Sequence, residues 1–435
     1  MTGQVTKDAT SATILRPGHM ALSPVSSSER IATLDVLRGL ALYGVLTANL
    51  LLFYSGIEYA PRGTFQFDGF TTLYFRMFIS TRAISTLTFL FGLGFALQLA
   101  RAGERGDDVR GVFTRRLLTL LMFGVVHVVL LWWGDILWCY AVTGFALLWF
   151  RRRSVRTLVI WGVVLSLIPQ LIMSLPPVRQ AIAPVLPGPA DHGAWNAELL
   201  ATYGGGDLFA RTWANLRQVA YFVGPIALWF LPWILGHFLL GMAAGKRRWF
   251  ENGGAAHRRA FRWMLAIGLV LALIGVALAL VVKPSRSMIM GLPLIARIAF
   301  SFLNELVTAG VVMVYISAVV LLMQRSLPRR LLMILAPVGR MPLTTYLCQS
   351  VFATFIFYGW GLGWIAEVEP IGCLAIALGI FIVQIVIANL WLRRFRSGPL
   401  EWLWRRIVYR TTIATCAPSS SSISSTTSVP EARSP

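Results

Sequence analysis

Ten stretches of this chain are apolar for long enough to cross about 30 Å of hydrocarbon as helices. They lie at 34–54, 84–100, 117–133, 136–150, 157–175, 222–244, 263–282, 298–323, 342–362 and 371–392. A backbone in lipid must satisfy its own polar groups, and unbroken apolar runs of this length do so as helices. The expectation is an all-α, polytopic integral membrane bundle of about ten transmembrane helices. Composition agrees, because 57% of residues are hydrophobic and 13% charged, about half the charge of a soluble domain. Water-soluble enzyme folds are excluded for most of the length. Residues 64–82 and 329–340 are amphipathic and are expected to lie at the interface or to re-enter.

A net charge of +21 would suggest nucleic acid in a soluble protein. Here the basic residues are spread through short loops, so nucleic acid is not expected as a partner and anionic lipid headgroups are. One set of alternate loops, with the segment after the last span, holds 25 Lys and Arg, and the opposite set holds nine. The positive-inside rule then puts both termini in the cytoplasm and makes 176–221 the longest outer loop. Residues 1–29 lack an apolar signal core, and 411–435 is a Ser/Thr run, so both are expected to be disordered tails around a membrane domain at 30–410. Segment 397–410, with Pro399 and Glu401 at its start and Leu400, Leu403, Trp404 and Ile407 along one side, reads as a cytoplasmic interfacial helix. A membrane-surface anchor is the favoured reading there over a binding element.

Four scattered cysteines form no CxxC pair, no HExxH is present, and Gly204–Gly206 lack a P-loop lysine. No metal site and no bound cofactor are expected.

Ionisable groups at bilayer depth cost about 2.5–3.5 kcal/mol on insertion scales, so each needs a reason. The first span, LDVLRGLALYGVLTANL, carries Asp35 and Arg38 three apart on one face, where they can pair. Asn49 returns to nearly that face about 16 Å deeper. A snorkelling arginine and an asparagine that joins helices are the bland alternative. In GVVHVVLLWWGDILWCY at 124–140, His127 precedes a Trp-Trp-Gly turn and Asp135 follows it. A tight hairpin can fold that carboxylate back to the imidazole, orienting a general base. A neutral buried histidine, with Asp135 capping a helix, is the competing reading. His237 has no evident charged neighbour, and Glu305 can face a cavity or reach Arg297. Tyr346 and Gln349 share a helix face after Arg340, while Gln98, Gln384 and Asn389 read as helix cross-links.

The segments RIATLDVLRGLALYGVLTANL (30–50), STLTFLFGLGFALQL (85–99), RRLLTLLMFGVVHVVLLWWGDILWCYA (115–141), FLPWILGHFLLGMAAGK (230–246), GRMPLTTYLCQS (339–350) and FRSGPLEWLWR (395–405) resemble, in this order, the YeiB-type family of bacterial inner-membrane proteins. The family is a domain of unknown function. It is similar to the clan of transmembrane acyltransferases that includes the lysosomal heparan-α-glucosaminide N-acetyltransferases, through Arg38-Gly39 and the downstream Asn49. The resemblance implies a bacterial cytoplasmic membrane location and transfer of an acyl group from cytosolic acyl-CoA, as co-substrate, to an envelope glycan or lipid acceptor. Arg38 and Asp35 would sit at the donor end, and Asn49 would hold the acyl carbonyl or the acceptor. His127 would act as base with Asp135 orienting it, and Tyr346, Gln349 and Arg340 are further polar candidates. The alternative is a transporter or exporter of a small solute or lipid without covalent chemistry. The acyl group, the acceptor and a homodimeric state are left open.

Overall fold

The computed structural model describes residues 31–61, 63–75, 80–105, 109–175, 192–282 and 286–409. The two expected tails and positions 176–191 of the outer loop lie outside them. The chain runs α1 (Ala32–Asn49), α2 (Gly69–Tyr74), α3 (Ser80–Arg105), α4 (Val109–Leu130), α5 (Leu137–Phe150) and α6 (Val155–Ser174). It continues with α7 (His192–Gly204), α8 (Leu208–Pro225), α9 (Leu231–Lys246), α10 (Arg258–Ala277), α11 (Arg286–Gly291) and α12 (Leu294–Leu322). The last part is α13 (Ser326–Leu332), α14 (Ala336–Arg340), α15 (Pro342–Phe357), α16 (Pro370–Arg394) and α17 (Pro399–Tyr409). The described part of the expected outer loop is thus itself largely helical, as α7 and most of α8.

Each apolar stretch is helical over most of its length, yet the stretches differ in reach. Among the described residues, six helices are long and apolar enough to cross a membrane: 32–54, 81–101, 110–130, 251–281, 294–322 and 370–394. The helices 326–340 and 342–357 form a pair bent by 82° whose length and hydropathy fit one broken span or a re-entrant loop. The amphipathic segment 329–340 lies in the first arm of that bent pair. The stretches 136–150, 157–175 and 222–244 are not in this long set, and 342–362 enters only through the bent pair. Hydropathy registers burial in apolar surroundings, and a protein interior supplies that as well as lipid does. In α9, Trp233, Ile234, Phe238, Leu239 and Met242 are all buried, packed against α3 and α6.

The helix that carries Asp35 and Arg38 is the central one. Helix α1 touches α3, α12, α14, α15 and α16, and Val36, Leu37, Leu46 and Leu50 have essentially no exposed surface. Two glycines set how close it comes to α14: a side chain at Gly39 would strike the Leu335 carbonyl, and one at Gly339 would strike the Asp35 carbonyl. Backbone-to-backbone contact there brings Arg340 to the Asp35–Arg38 end of α1. Beyond Asn49, α1 continues as a π-helical turn, Leu50–Tyr54, a local underwinding that re-aims the side chains after it.

The terminal helix α17 folds back onto the bundle. Arg115 Nε donates to the Val408 carbonyl (2.9 Å) and Trp404 Nε1 to the Arg116 carbonyl (3.3 Å). Glu401 does more than complement its own helix dipole. Its Oε1 accepts from Leu343 N (2.7 Å) and Thr344 N (3.0 Å), and its Oε2 accepts from Thr344 Oγ1 (2.6 Å), so it caps the N-terminus of α15. Burial, the larger effect, raises its carboxyl pKa, and the Thr344 and Leu343 donors pull it the other way. The inward face of α17 is Glu401, Trp404, Arg405 and Val408, while Leu403 and Ile407 stay exposed.

A candidate active site at the end of a basic cavity

Helix α4 ends because the chain turns back at once. Leu131 N and Trp132 N both donate to the His127 carbonyl (2.9 and 3.0 Å), which places His127 in the last turn, three residues from the end at Leu130. Sequence periodicity carries the span on to 133 and puts His127 deeper. The hairpin 131–136 can close onto α4 because position 124 is glycine: a Cβ there would meet Trp138 N at 2.6 Å and Asp135 Oδ2 at 2.8 Å. Asp135 then divides its two oxygens. Oδ2 accepts from Trp138 N (3.0 Å) and caps α5. Oδ1 lies 2.9 Å from His127 Nδ1, with both side chains fully excluded from solvent. Asp135 thus meets the imidazole with one oxygen and the start of α5 with the other.

The other imidazole nitrogen meets a residue that sequence reasoning passed over. His127 Nε2 is 2.7 Å from Ser350 Oγ, and Tyr54 OH, the last residue of the π turn, donates to the same Oγ (2.8 Å). Because Ser350 accepts from Tyr54, its own proton is directed at Nε2, which leaves the ring proton on Nδ1, 2.9 Å from Asp135 Oδ1 but outside hydrogen-bond alignment; this tautomer is assigned from the network. The order is Tyr54, Ser350, His127, Asp135. Ser350 closes the motif GRMPLTTYLCQS, four residues after Tyr346 and on the same helix face, and that spacing is the signal that could have found it. The Tyr346 ring centroid is 5.4 Å from that of His127, and its OH accepts from Ile136 N (3.4 Å). Trp132 closes the other side, 4.7 Å from the Tyr54 ring and 6.4 Å from His127. Its buried Nε1 has no hydrogen-bond partner among the described residues.

A cavity of about 390 Å³ leads towards this cluster. One end is lined by Asp35, Arg38, Arg101, Arg116, Arg340 and Arg405, with Glu401, Trp404 and Tyr409 of α17 beside them. Arg38 Nη1 donates to Asp35 Oδ1 (2.7 Å), Arg116 donates to Gln98, and the Arg116 guanidinium lies 4.5 Å over Trp404. Five arginines face two carboxylates, so this end is strongly positive. The shaft beyond it is apolar, walled by Leu42, Leu87, Phe91, Leu117 and Leu120, and it reaches Val45, Ile136 and Tyr346. His127 and Ser350 do not line it. Tyr346 stands between.

Other candidates have separate places. Asn49 is half-buried on α1 and belongs neither to the cavity wall nor to the His127 cluster. Gln349 Nε2 donates to the Leu42 carbonyl (3.3 Å) and Gln384 Oε1 (3.1 Å), joining α1, α15 and α16. His237 does have an acidic neighbour: Glu305 Oε1 is 3.9 Å from its Nε2 and accepts from Trp233 Nε1 (3.1 Å). Glu305 therefore meets His237 and not Arg297, whose Nη2 donates to the Leu292 carbonyl. Those partners sit on different helices, α9 and α12, out of reach of spacing arguments.

A bundle of long apolar helices with outward apolar faces and buried ionisable side chains is a multi-pass membrane protein. Residues 244–411 match the family described as protein of unknown function (DUF418). The chain is 33% identical over 408 residues to uncharacterized protein YxaH of Bacillus subtilis, covering 89% of this chain and 96% of that one. It is 27% identical over 408 residues to uncharacterized protein YeiB of Escherichia coli, covering 88% and 97%. The protein belongs to this YeiB-type family. No solved structure matches it.

Proposed function

We propose that this protein is a membrane-embedded acyltransferase, taking an acyl group from acyl-CoA and passing it to a hydroxyl or amine of an envelope sugar or lipid. The observation that carries the reading is the cavity, which joins an arginine-lined mouth to the wall formed by Tyr346 beside His127. Guanidinium groups suit phosphates through paired, charge-assisted hydrogen bonds, and an apolar shaft suits a pantetheine arm and acyl chain. His127, with Asp135 at Nδ1, is arranged as a general base. Loop charge favours placing the arginine-lined mouth on the cytoplasmic side of a bacterial inner membrane, where acyl-CoA is available.

Calorimetric titration of the purified protein in detergent with acetyl-CoA and longer acyl-CoAs tests this reading. Saturable binding is expected, with Arg38→Ala weakening it and His127→Ala leaving it intact while abolishing acyl transfer. Folded protein that binds none of these thioesters overturns the proposal.

A second reading, solute transport, draws on the buried His237–Glu305 pair, which lies outside the cavity wall. Ionisable pairs inside membrane bundles often mark ion pathways. Flux into proteoliposomes with no covalent change in the solute would favour it.

A further inference from the structure

We infer that Ser350 is the nucleophile of the reaction and that an acyl-Ser350 ester forms before any acceptor is modified. The inference rests on the acyl-CoA reading above. It starts from occupancy of the base: His127 Nε2 lies 2.7 Å from Ser350 Oγ. A lone pair already engaged by a hydroxyl at hydrogen-bond distance activates that hydroxyl first. Deprotonating an external acceptor directly would require Ser350 to leave its place. Tyr54 OH, donating to the same oxygen, fixes the Ser350 rotamer and orients its proton towards the imidazole. Asp135 Oδ1 lies 2.9 Å from Nδ1 without an aligned hydrogen bond, so the three side chains bring together a serine nucleophile, its base and a carboxylate that a small ring rotation would engage.

The chemistry balances with the groups present. Ser350 Oγ attacks the thioester carbonyl carbon as its proton passes to His127 Nε2, giving a tetrahedral oxyanion. Collapse breaks the C–S bond, and the imidazolium returns the proton to the departing sulfur as free CoA thiol. The acceptor hydroxyl or amine then gives its proton to Nε2 and attacks the ester carbonyl. The bond to Ser350 breaks, and Oγ recovers the proton. The Trp132 indole N–H, buried and without a partner in this cluster, is the donor assigned to the oxyanion. Tyr346 shares a helix face with Ser350 and lines the cavity, so displacing its ring opens the shaft onto Oγ. A covalent intermediate also lets CoA leave before the acceptor arrives, so neither substrate has to pass the other.

The experiment is incubation of the full-length protein in detergent with acetyl-CoA and no acceptor, followed by intact-mass measurement and peptide mapping. In parallel, the protein is treated with a fluorophosphonate, which reports an activated serine without any need for CoA. The expected result is one hydroxylamine-labile acetyl group on the peptide bearing Ser350 and a stoichiometric burst of CoA thiol. Fluorophosphonate should label Ser350 only when His127 is intact. Ser350→Ala should lose the ester and about 10⁴-fold or more in transfer rate, with acyl-CoA affinity unchanged as the sign that the fold persists. Trp132→Phe should slow acylation about 10²-fold without changing that affinity. Product formation without a Ser350 ester, an ester on another residue, or full transfer by Ser350→Ala overturns the inference and leaves the acyltransferase reading standing. Fluorophosphonate labelling of Ser350 without acyl-CoA binding supports the nucleophile and overturns the donor.

Discussion

His127 Nε2 and Ser350 Oγ lie 2.7 Å apart although 223 positions separate them in the chain. That contact ties the last turn of α4 to the middle of α15. The hairpin at 131–136 and the π turn at Leu50–Tyr54 each add one member, Asp135 and Tyr54. Four pieces of backbone thus converge on two side chains, His127 and Ser350, and each piece can be disturbed separately.

Asp135→Asn is the most discriminating change to the acid. The amide oxygen can still accept from Trp138 N, so the α5 cap survives. The amide nitrogen, however, presents hydrogens to Nδ1 and favours the opposite imidazole tautomer. We expect a loss of about 10⁴-fold in acyl transfer with a melting temperature close to that of the parent. Paired rate and thermal-unfolding measurements check this, and a large fall in stability with a small fall in rate would contradict it.

Gly124→Ala tests how the hairpin is seated. The added methyl would meet Trp138 N and Asp135 Oδ2 inside contact distance, and a backbone amide cannot swing away as a flexible side-chain tip can. Overpacking of this kind costs about 1–3 kcal/mol. Because the displaced atoms include the Asp135 carboxylate, transfer should fall further than stability. The check is activity at a temperature where circular dichroism shows the variant fully folded.

Glu401→Ala should release the terminal helix. It leaves Leu343 N, Thr344 N and Thr344 Oγ1 without their buried acceptor, and an unsatisfied buried donor costs about 1–3 kcal/mol. Hydrogen exchange over 399–409 should accelerate, and acyl-CoA affinity should fall because Trp404 and Arg405 leave the cavity wall with α17. Unchanged exchange in that segment would show that Glu401 does not hold the helix.

Arg38→Lys keeps the charge and loses the planar fork. If the arginine pairs with phosphate through two hydrogen bonds, affinity for acyl-CoA should fall about tenfold, a difference of about 1.4 kcal/mol. The residual binding should weaken further as salt rises. Titrations at two ionic strengths measure both effects.

Sequence alone determined what depends on near neighbours. Long apolar runs determined a helical membrane bundle. A three-residue spacing determined the Asp35–Arg38 pair, and a tight Trp-Trp-Gly turn was enough to bring Asp135 within reach of His127. Tertiary structure decided which helices meet and with which faces. It set Ser350 and Tyr54 beside His127, turned Glu401 onto Thr344, gave His237 its Glu305, and left four of the ten apolar stretches outside the set of six long spans. The physical reason is that helices apolar on nearly every side carry little periodic signal of their rotation or register. Those are set by close packing between helices, at points such as Gly124 and Gly339 where the backbones touch, and packing of that kind is a property of pairs of distant segments.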